Sequence, residues 1–242
     1  MIIGGLEKLT LLDYPDHLAA IIFTSGCNFR CRYCYNPMLV LPDKKGGDKN
    51  KKDLNSIGNE DLFLFLKERF GKLEGVVITG GEPTLHHDLP DFIKKIKDLG
   101  YLVKLDTNGT NPEMLATLIK NKLVDYIAMD IKADFNNYEK IVGVMVNFKN
   151  LEKSVKMIMA SGLPYEFRST LVPGLIDKDI FVSMAKLIKG AKKWYLQNFK
   201  SDTNLVDPKL QGQQKFSNKE MKEFVSLGKD FVDLCEDRTY FI

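Results

Sequence analysis

Apolar residues recur along this chain in short runs, each followed by a stretch in which they return every three or four positions. The runs LAAIIFT (18–24), GVVIT (75–79), YLVKLDT (101–107), VDYIAMDI (124–131), YEFRSTLV (165–172) and KWYLQNF (193–199) are rich in β-branched and aromatic residues and predict strands. Behind the second run, Leu89, Phe92, Ile93, Ile96 and Leu99 fall at helical spacing, with Asp88 as the expected N-cap and Gly100 as the stop. Behind the fifth, Asp177 is placed to cap a helix carrying Phe181, Met184, Ala185 and Ile188 that ends at Gly190. A last helix is expected over about 217–235.

Strands alternating with helices imply right-handed βαβ units and a parallel sheet covered on both faces. Six units fit, which leaves a partial (β/α) barrel and a doubly wound sheet both open. In either, polar residues at the carboxyl ends of strands converge on one rim where ligands bind. With no internal repeat and no linker, 1–242 reads as a single domain. One segment departs from the average: DKKGGDKNKKD at 43–53 is lysine-rich and lacks large apolar residues. It reads as a solvated mobile loop over 43–56, with partner docking as the alternative.

Hydrophobic residues make up 44% and charged residues 28%, as in soluble globular proteins. No apolar run approaches the span of a bilayer, and the start has no basic region leading into an apolar one, so neither a membrane nor a secretory route is expected. The net charge of +3 is small and its basic residues are scattered among acidic ones, which argues against nucleic acid as a partner.

Four cysteines, three of them within eight residues, make a poor disulfide framework and point to the reducing cytoplasm. CNFRCRYC places Cys27, Cys31 and Cys34 directly after the first strand run, where a loop can wrap three thiolates around one side of an iron–sulfur cube. Zinc is the rival. A closed zinc site wants four ligands, and neither Cys235 nor His17, His86 and His87 forms a recognisable second half-site. Cys235, in the expected last helix, reads as a buried structural thiol, which leaves no cysteines for a second cubane.

The other strand ends are also polar. ITGGEPTL (78–85) ends the second run with Gly80 and Gly81, where backbone can approach a ligand closely, followed by Glu82, a carboxylate able to accept from an ammonium group. Asp106 lies in DTNGT, and Asp130 and Lys132 in MDIK; a plain turn and a surface ion pair are the bland alternatives. Arg168 offers a guanidinium fork suited to a carboxylate or ribose oxygen, or else an internal salt bridge.

The C-x3-C-x2-C loop with Tyr33 just before its last cysteine resembles the signature of the radical S-adenosylmethionine (SAM) superfamily. Over its whole length the chain resembles the activating enzymes of glycyl radical proteins. Its amino-terminal stretch GGLEKLTLLDYPDHLAAIIFTSGCNFRCRYCYNP and the later YEFR and VPG resemble the branch named for activating anaerobic ribonucleoside-triphosphate reductase. The resemblance implies a partial (β/α)6 TIM-like barrel of parallel strands, with a 4Fe–4S cluster on Cys27, Cys31 and Cys34 whose open iron is chelated by SAM. It also implies that Gly80, Gly81, Glu82 and Pro83 hold the methionine amino group. Asp106, Thr107, Asp130 and Lys132 would lie near the ribose and carboxylate of SAM, with a monovalent cation beside Asp106 and Asp130. Tyr33 and Arg168 join the SAM-binding set, and Gln197 or Phe199 stands where the family has a histidine against the adenine. Tyr35 is a further departure, at a position where histidine is common.

The implied activity is that of an oxidoreductase in which SAM yields a 5′-deoxyadenosyl radical that takes a hydrogen from a backbone glycine of a partner enzyme. A flavodoxin or ferredoxin would supply the electron. Two other readings stand beside it: a small-molecule radical SAM enzyme of the carboxy-deazaguanine synthase kind, and an iron–sulfur carrier. The carrier has no use for the Gly-Gly-Glu-Pro segment.

Overall fold

The computed structural model describes residues 1–40 and 57–239, so the lysine-rich 43–56 segment lies outside the described residues. Its strands are β1 (Ile3–Thr10), β2 (Ala19–Thr24), β3 (Gly75–Gly80), β4 (Leu102–Thr107), β5 (Tyr126–Asp130), β6 (Tyr165–Leu171), β7 (Lys193–Asn198) and β8 (Leu234–Asp237). Its helices are α1 (Pro37–Val40), α2 (Asn59–Arg69), α3 (Leu89–Asp98), α4 (Pro112–Lys120), α5 (Tyr138–Val142), α6 (Phe148–Ala160), α7 (Lys178–Leu187) and α8 (Asn218–Gly228).

The chain divides into two compact units. The first comprises Met1–Asn28, Met38–Thr107 and Glu113–Ile127, and the second Phe29–Pro37, Asn108–Pro112 and Ala128–Ile242. Strand β5 straddles the division.

In the first unit the strand order is β1-β2-β3-β4-β5. β1 pairs antiparallel with β2, whereas β2, β3 and β4 are parallel, in a register that sets Ala19 beside Gly75 and Thr24 beside Gly80. Tyr14, Ala19, Ile21, Val77 and Tyr126 form a buried cluster there, with Phe23 and Leu102 packed against it. Helix α3 buries Leu89, Phe92, Ile93 and Ile96, a spacing that puts all four on one face.

In the second unit the order is β5-β6-β7-β8, with β6, β7 and β8 parallel. Phe181 of α7 stacks on Trp194 of β7 with ring centroids 4.6 Å apart. The Trp194 indole donates to Ser169 Oγ at 2.9 Å.

This is an α/β fold built on parallel strands. Within each unit the strands follow sequence order, without the reversal that marks a doubly wound sheet. The six expected strands appear as β2 to β7.

Three local expectations are corrected. Asp88 stands at the start of α3, but its side chain makes no capping bond there and instead accepts from the Met1 amine. Strand β1 was outside the expected set. The last helix ends at Gly228 rather than near 235, and Cys235 lies in β8: a Cβ at Gly228 would come within 2.5 Å of Cys235 Sγ, so helix and returning strand meet at a position that tolerates no side chain. Asp177, by contrast, caps α7 as its position predicts, accepting from the Ile180 amide at 2.8 Å.

Candidate cofactor site

In the first unit the ends of β2 and β3 approach backbone to backbone. The Gly81 amide donates to Thr24 O at 2.8 Å, Glu82 N to Gly26 O at 2.9 Å, and Gly26 N to Leu39 O at 2.7 Å. A Cβ at Gly81 would stand 1.9 Å from Gly26 O, and one at Gly80 2.3 Å from Thr24 N; Gly80 also has φ +111°. Only glycine fits either place. These contacts fix the chain one residue before Cys27.

Glu82 is buried, and its Oε1 accepts from Thr84 N at 3.1 Å, Thr84 Oγ1 at 2.5 Å and Thr107 Oγ1 at 2.7 Å. Pro83 opens the 3-10 turn that this carboxylate caps. Gly80, Gly81, Glu82, Pro83 and Thr107 are thus brought together, with Glu82 joining the turn to the end of β4. Asp106, also buried, pairs with Lys104 Nζ at 3.0 Å. Lys104 is itself 1% exposed and lies over the Tyr126 ring.

The other two cysteines of the loop, Cys31 and Cys34, belong to the second unit. Helix α5 ends on carbonyls that have no partner within the helix, and the loop supplies donors for them: Arg30 N to Val142 O at 2.7 Å and Arg32 N to Ile141 O at 3.3 Å. On its other edge the loop accepts, with Val206 N donating to Cys34 O and Asp207 N to Arg32 O, both at 2.9 Å. The Cys34 amide closes a turn on Cys31 O at 3.0 Å. Cys31 is buried and Cys34 half-buried.

Beside this loop the strand ends carry an ion cluster. Ile131 is held by its amide to Arg168 O at 2.8 Å and by its carbonyl to Ser169 Oγ at 2.6 Å, which presents Asp130 and Lys132 on either side. Asp130 accepts from Lys132 Nζ at 3.1 Å and from Arg168 Nε at 3.2 Å. Burial works against the Asp130 charge, but the two cations outweigh it and hold the carboxyl below its ordinary range. Burial likewise opposes the Lys132 ammonium. Asp130, with the polar groups of Tyr33, Cys31 and Tyr138, nevertheless raises its pKa well above the usual lysine value. Tyr33 is buried, and burial pushes its phenol upward, partly countered by Lys132.

Of the two candidates at the end of β7, Gln197 is half-buried, whereas Phe199 is 1% exposed and enclosed by protein. Cys235 is fully buried, and burial raises its thiol to about 12. Each carboxylate expected beside a monovalent cation, Asp106 and Asp130, is already paired with a side-chain cation. The sequence reading missed Lys104, Tyr138 and Asp207. Lys104 had a signal, since it stands two residues before Asp106 and so on the same face of β4.

Among the described residues no three His, Cys, Asp or Glu side chains are gathered as the ligands of a metal ion. The donor set itself is what fits an iron–sulfur cluster. It comprises three thiols, none in a disulfide, on a loop that carries no carboxylate or imidazole to compete. Among the described residues no helix is long and apolar enough to cross a membrane.

The family model described as the Radical SAM superfamily matches residues 21–187, more than half of the chain. The chain belongs to the radical SAM superfamily. It is 31% identical, over 98% of its length and 96% of the relative's, to a protein of Methanocaldococcus jannaschii named provisionally as a glycyl-radical enzyme activating enzyme. It is 29% identical to the pyruvate formate-lyase-activating enzyme of Streptococcus mutans, over 74% of this chain and 68% of that one. Among solved structures, SuiB of Streptococcus suis superposes with a TM-score of 0.64 at 14% identity, covering 91% of this chain and 49% of SuiB, which shows the shared fold.

This radical SAM protein is therefore an enzyme of the glycyl-radical-enzyme activating group. Its cofactors are those of that family, a 4Fe–4S cluster and SAM. Enzymes of the group act on a glycyl radical enzyme.

Proposed function

We propose that this enzyme holds its cluster on Cys27, Cys31 and Cys34 and generates the glycyl radical of an anaerobic ribonucleoside-triphosphate reductase. Likeness over nearly the whole chain to a protein named provisionally as a glycyl-radical enzyme activating enzyme supports the activase reading, and the resemblance of the amino-terminal stretch to the reductase-activating branch supports the reductase as partner. The chemistry supplied by the bound cofactors is one-electron cleavage of the sulfonium, giving methionine and a 5′-deoxyadenosyl radical. Everything else is binding, orientation and exclusion of side reactions by this chain.

The roles follow from the groups described. The Gly80–Gly81 main chain, free of side chains, offers SAM a close approach, and Glu82 keeps that turn and Thr107 in one rigid piece. Lys132 and Arg168, cationic and already oriented by Asp130, suit the methionine carboxylate and ribose oxygens. Gln197 is the adenine contact, since Phe199 is enclosed. Asp106, held by Lys104, stands at the end of β4. A flavodoxin or ferredoxin in the cytoplasm delivers the electron, because the chain has no cysteines for a second cluster.

The test mixes the reduced, cluster-loaded enzyme and SAM with candidate glycyl radical enzymes from the same genome, read by EPR. A glycyl doublet with the reductase, absent when the reductase glycine is replaced, is the expected result. If no candidate gives a doublet while SAM is consumed with a pterin-like metabolite, the small-molecule reading replaces this one.

A further inference from the structure

The segment that follows β7 returns to the cysteine loop and grips it by four contacts. Val206 N and Asp207 N donate to Cys34 O and Arg32 O at 2.9 Å. The Arg32 guanidinium closes on Asp207 Oδ2 with both Nε and a terminal nitrogen at 2.8 Å. Lys200 lies over the Tyr35 ring, 5.4 Å from its centroid. All of these fall between Arg32 and Tyr35, the stretch that contains Cys34. The other oxygen, Asp207 Oδ1, accepts from Lys209 N at 3.0 Å and so fixes the carboxylate's orientation. Cys27 has a separate support in the first unit, the bonds of Gly26 to Leu39 and Glu82.

We propose that Asp207 is a positioning residue for the cluster ligands, which acts through Arg32 to hold the Cys34 end of the loop independently of Cys27. The proposal rests on the reading of Cys27, Cys31 and Cys34 as ligands. A fork of two charge-assisted bonds on one oxygen sets direction as well as distance. A guanidinium two residues from Cys34 and next to Cys31 thereby transmits that direction to both thiols. The pair is partly solvated, so its effect is on the loop and not on the fold.

The test begins with iron-free, reduced protein, in which alkylation of each cysteine by iodoacetamide is followed by mass spectrometry. Asp207→Asn keeps an acceptor for the Lys209 amide and removes the charge. It is expected to raise the rate at Cys34 severalfold, roughly two- to fivefold, and to leave Cys27 and Cys235 at their wild-type rates. Asp207→Glu, which keeps the charge, should return Cys34 toward the wild-type rate. After reconstitution, release of iron to a chelator should rank the three proteins in the same order. An unchanged Cys34 rate in Asp207→Asn overturns the proposal. So does a parallel rise at Cys27 and Cys235, which would show loosening of the whole fold. Wild-type protein that takes up no iron would overturn the cluster reading and Asp207's role toward it, while the alkylation rates tell that outcome apart from failure of the clamp itself.

Discussion

Replacing Gly81 by alanine tests the cradle beside Cys27 with a single methyl group. The new Cβ would stand 1.9 Å from Gly26 O and 2.5 Å from Gly26 C, where ordinary contact begins near 3.4 Å. Both neighbours are main chain, so no side chain can swing aside. The backbone must separate by more than an ångström, which breaks the bonds from Gly81 N to Thr24 O and from Glu82 N to Gly26 O. Two such hydrogen bonds are worth about 1 kcal/mol each, and forced overpacking adds ~1–3 kcal/mol. The sum is about 3–5 kcal/mol. In a chain of this length each kcal/mol moves the melting temperature by roughly 2–4 °C, so a fall on the order of 10 °C is expected. The comparison variant is Gly162→Ala, at φ +75° with no atom within 4 Å of its new methyl, where backbone strain alone costs ~1–2 kcal/mol. Thermal unfolding of the iron-free proteins gives the stability, and iron content after reconstitution reports on the adjoining loop. If Gly81→Ala melts no lower than Gly162→Ala, the backbone approach is not the constraint described and the reasoning fails.

Lys104→Met should destabilise the protein by about 3 kcal/mol, because it leaves the Asp106 charge in a buried setting without its ammonium; a urea midpoint equal to wild type would contradict this. Asp130, whose carboxyl is held below its ordinary range, contributes stability that is complete above the unfolded pKa near ~4 and is lost as pH falls through the lower folded value. Asp130→Asn should therefore weaken the acid dependence of unfolding below about pH 5, and an identical stability profile for the two proteins would refute the pairing. Cys235→Ala should cost ~1–2 kcal/mol, with iron content unchanged. Loss of iron in that variant would assign the thiol to the cofactor instead.

The strands that frame the site were legible because β2 to β7 are apolar runs bounded by turns and followed by helical spacing. β1 was hidden by the two glycines and the polar stretch in IGGLEKLT, a composition suited to an antiparallel edge strand open on one side. β8 is four residues long, and its apolar neighbours read as continuing a helix, whereas α8 stops at Gly228, against which Cys235 of the returning strand packs. The cysteines were legible from spacing. Their SAM-binding companions were legible only through resemblance, since an Asp in a turn looks the same whatever it faces. What no pattern could supply was the partner of each charge. Glu82 is committed to two threonines, and Asp207 lies 175 residues from Arg32.

The main-chain frame around Arg30 to Cys34 also bears on which changes this loop can absorb. Arg30 and Arg32 are matched to Val142 and Ile141 on one edge, and Arg32 and Cys34 to Asp207 and Val206 on the other, all through amides and carbonyls. Such a frame tolerates exchange of most side chains but not a change of length: a residue inserted or deleted between Arg30 and Arg32 would throw the Val142 and Ile141 edge out of register, and one between Arg32 and Cys34 the Asp207 and Val206 edge. The interval between Cys31 and Cys34 is thus enforced by the polypeptide before any iron is bound. A graft of the eight-residue loop into another scaffold would have to bring both edges with it.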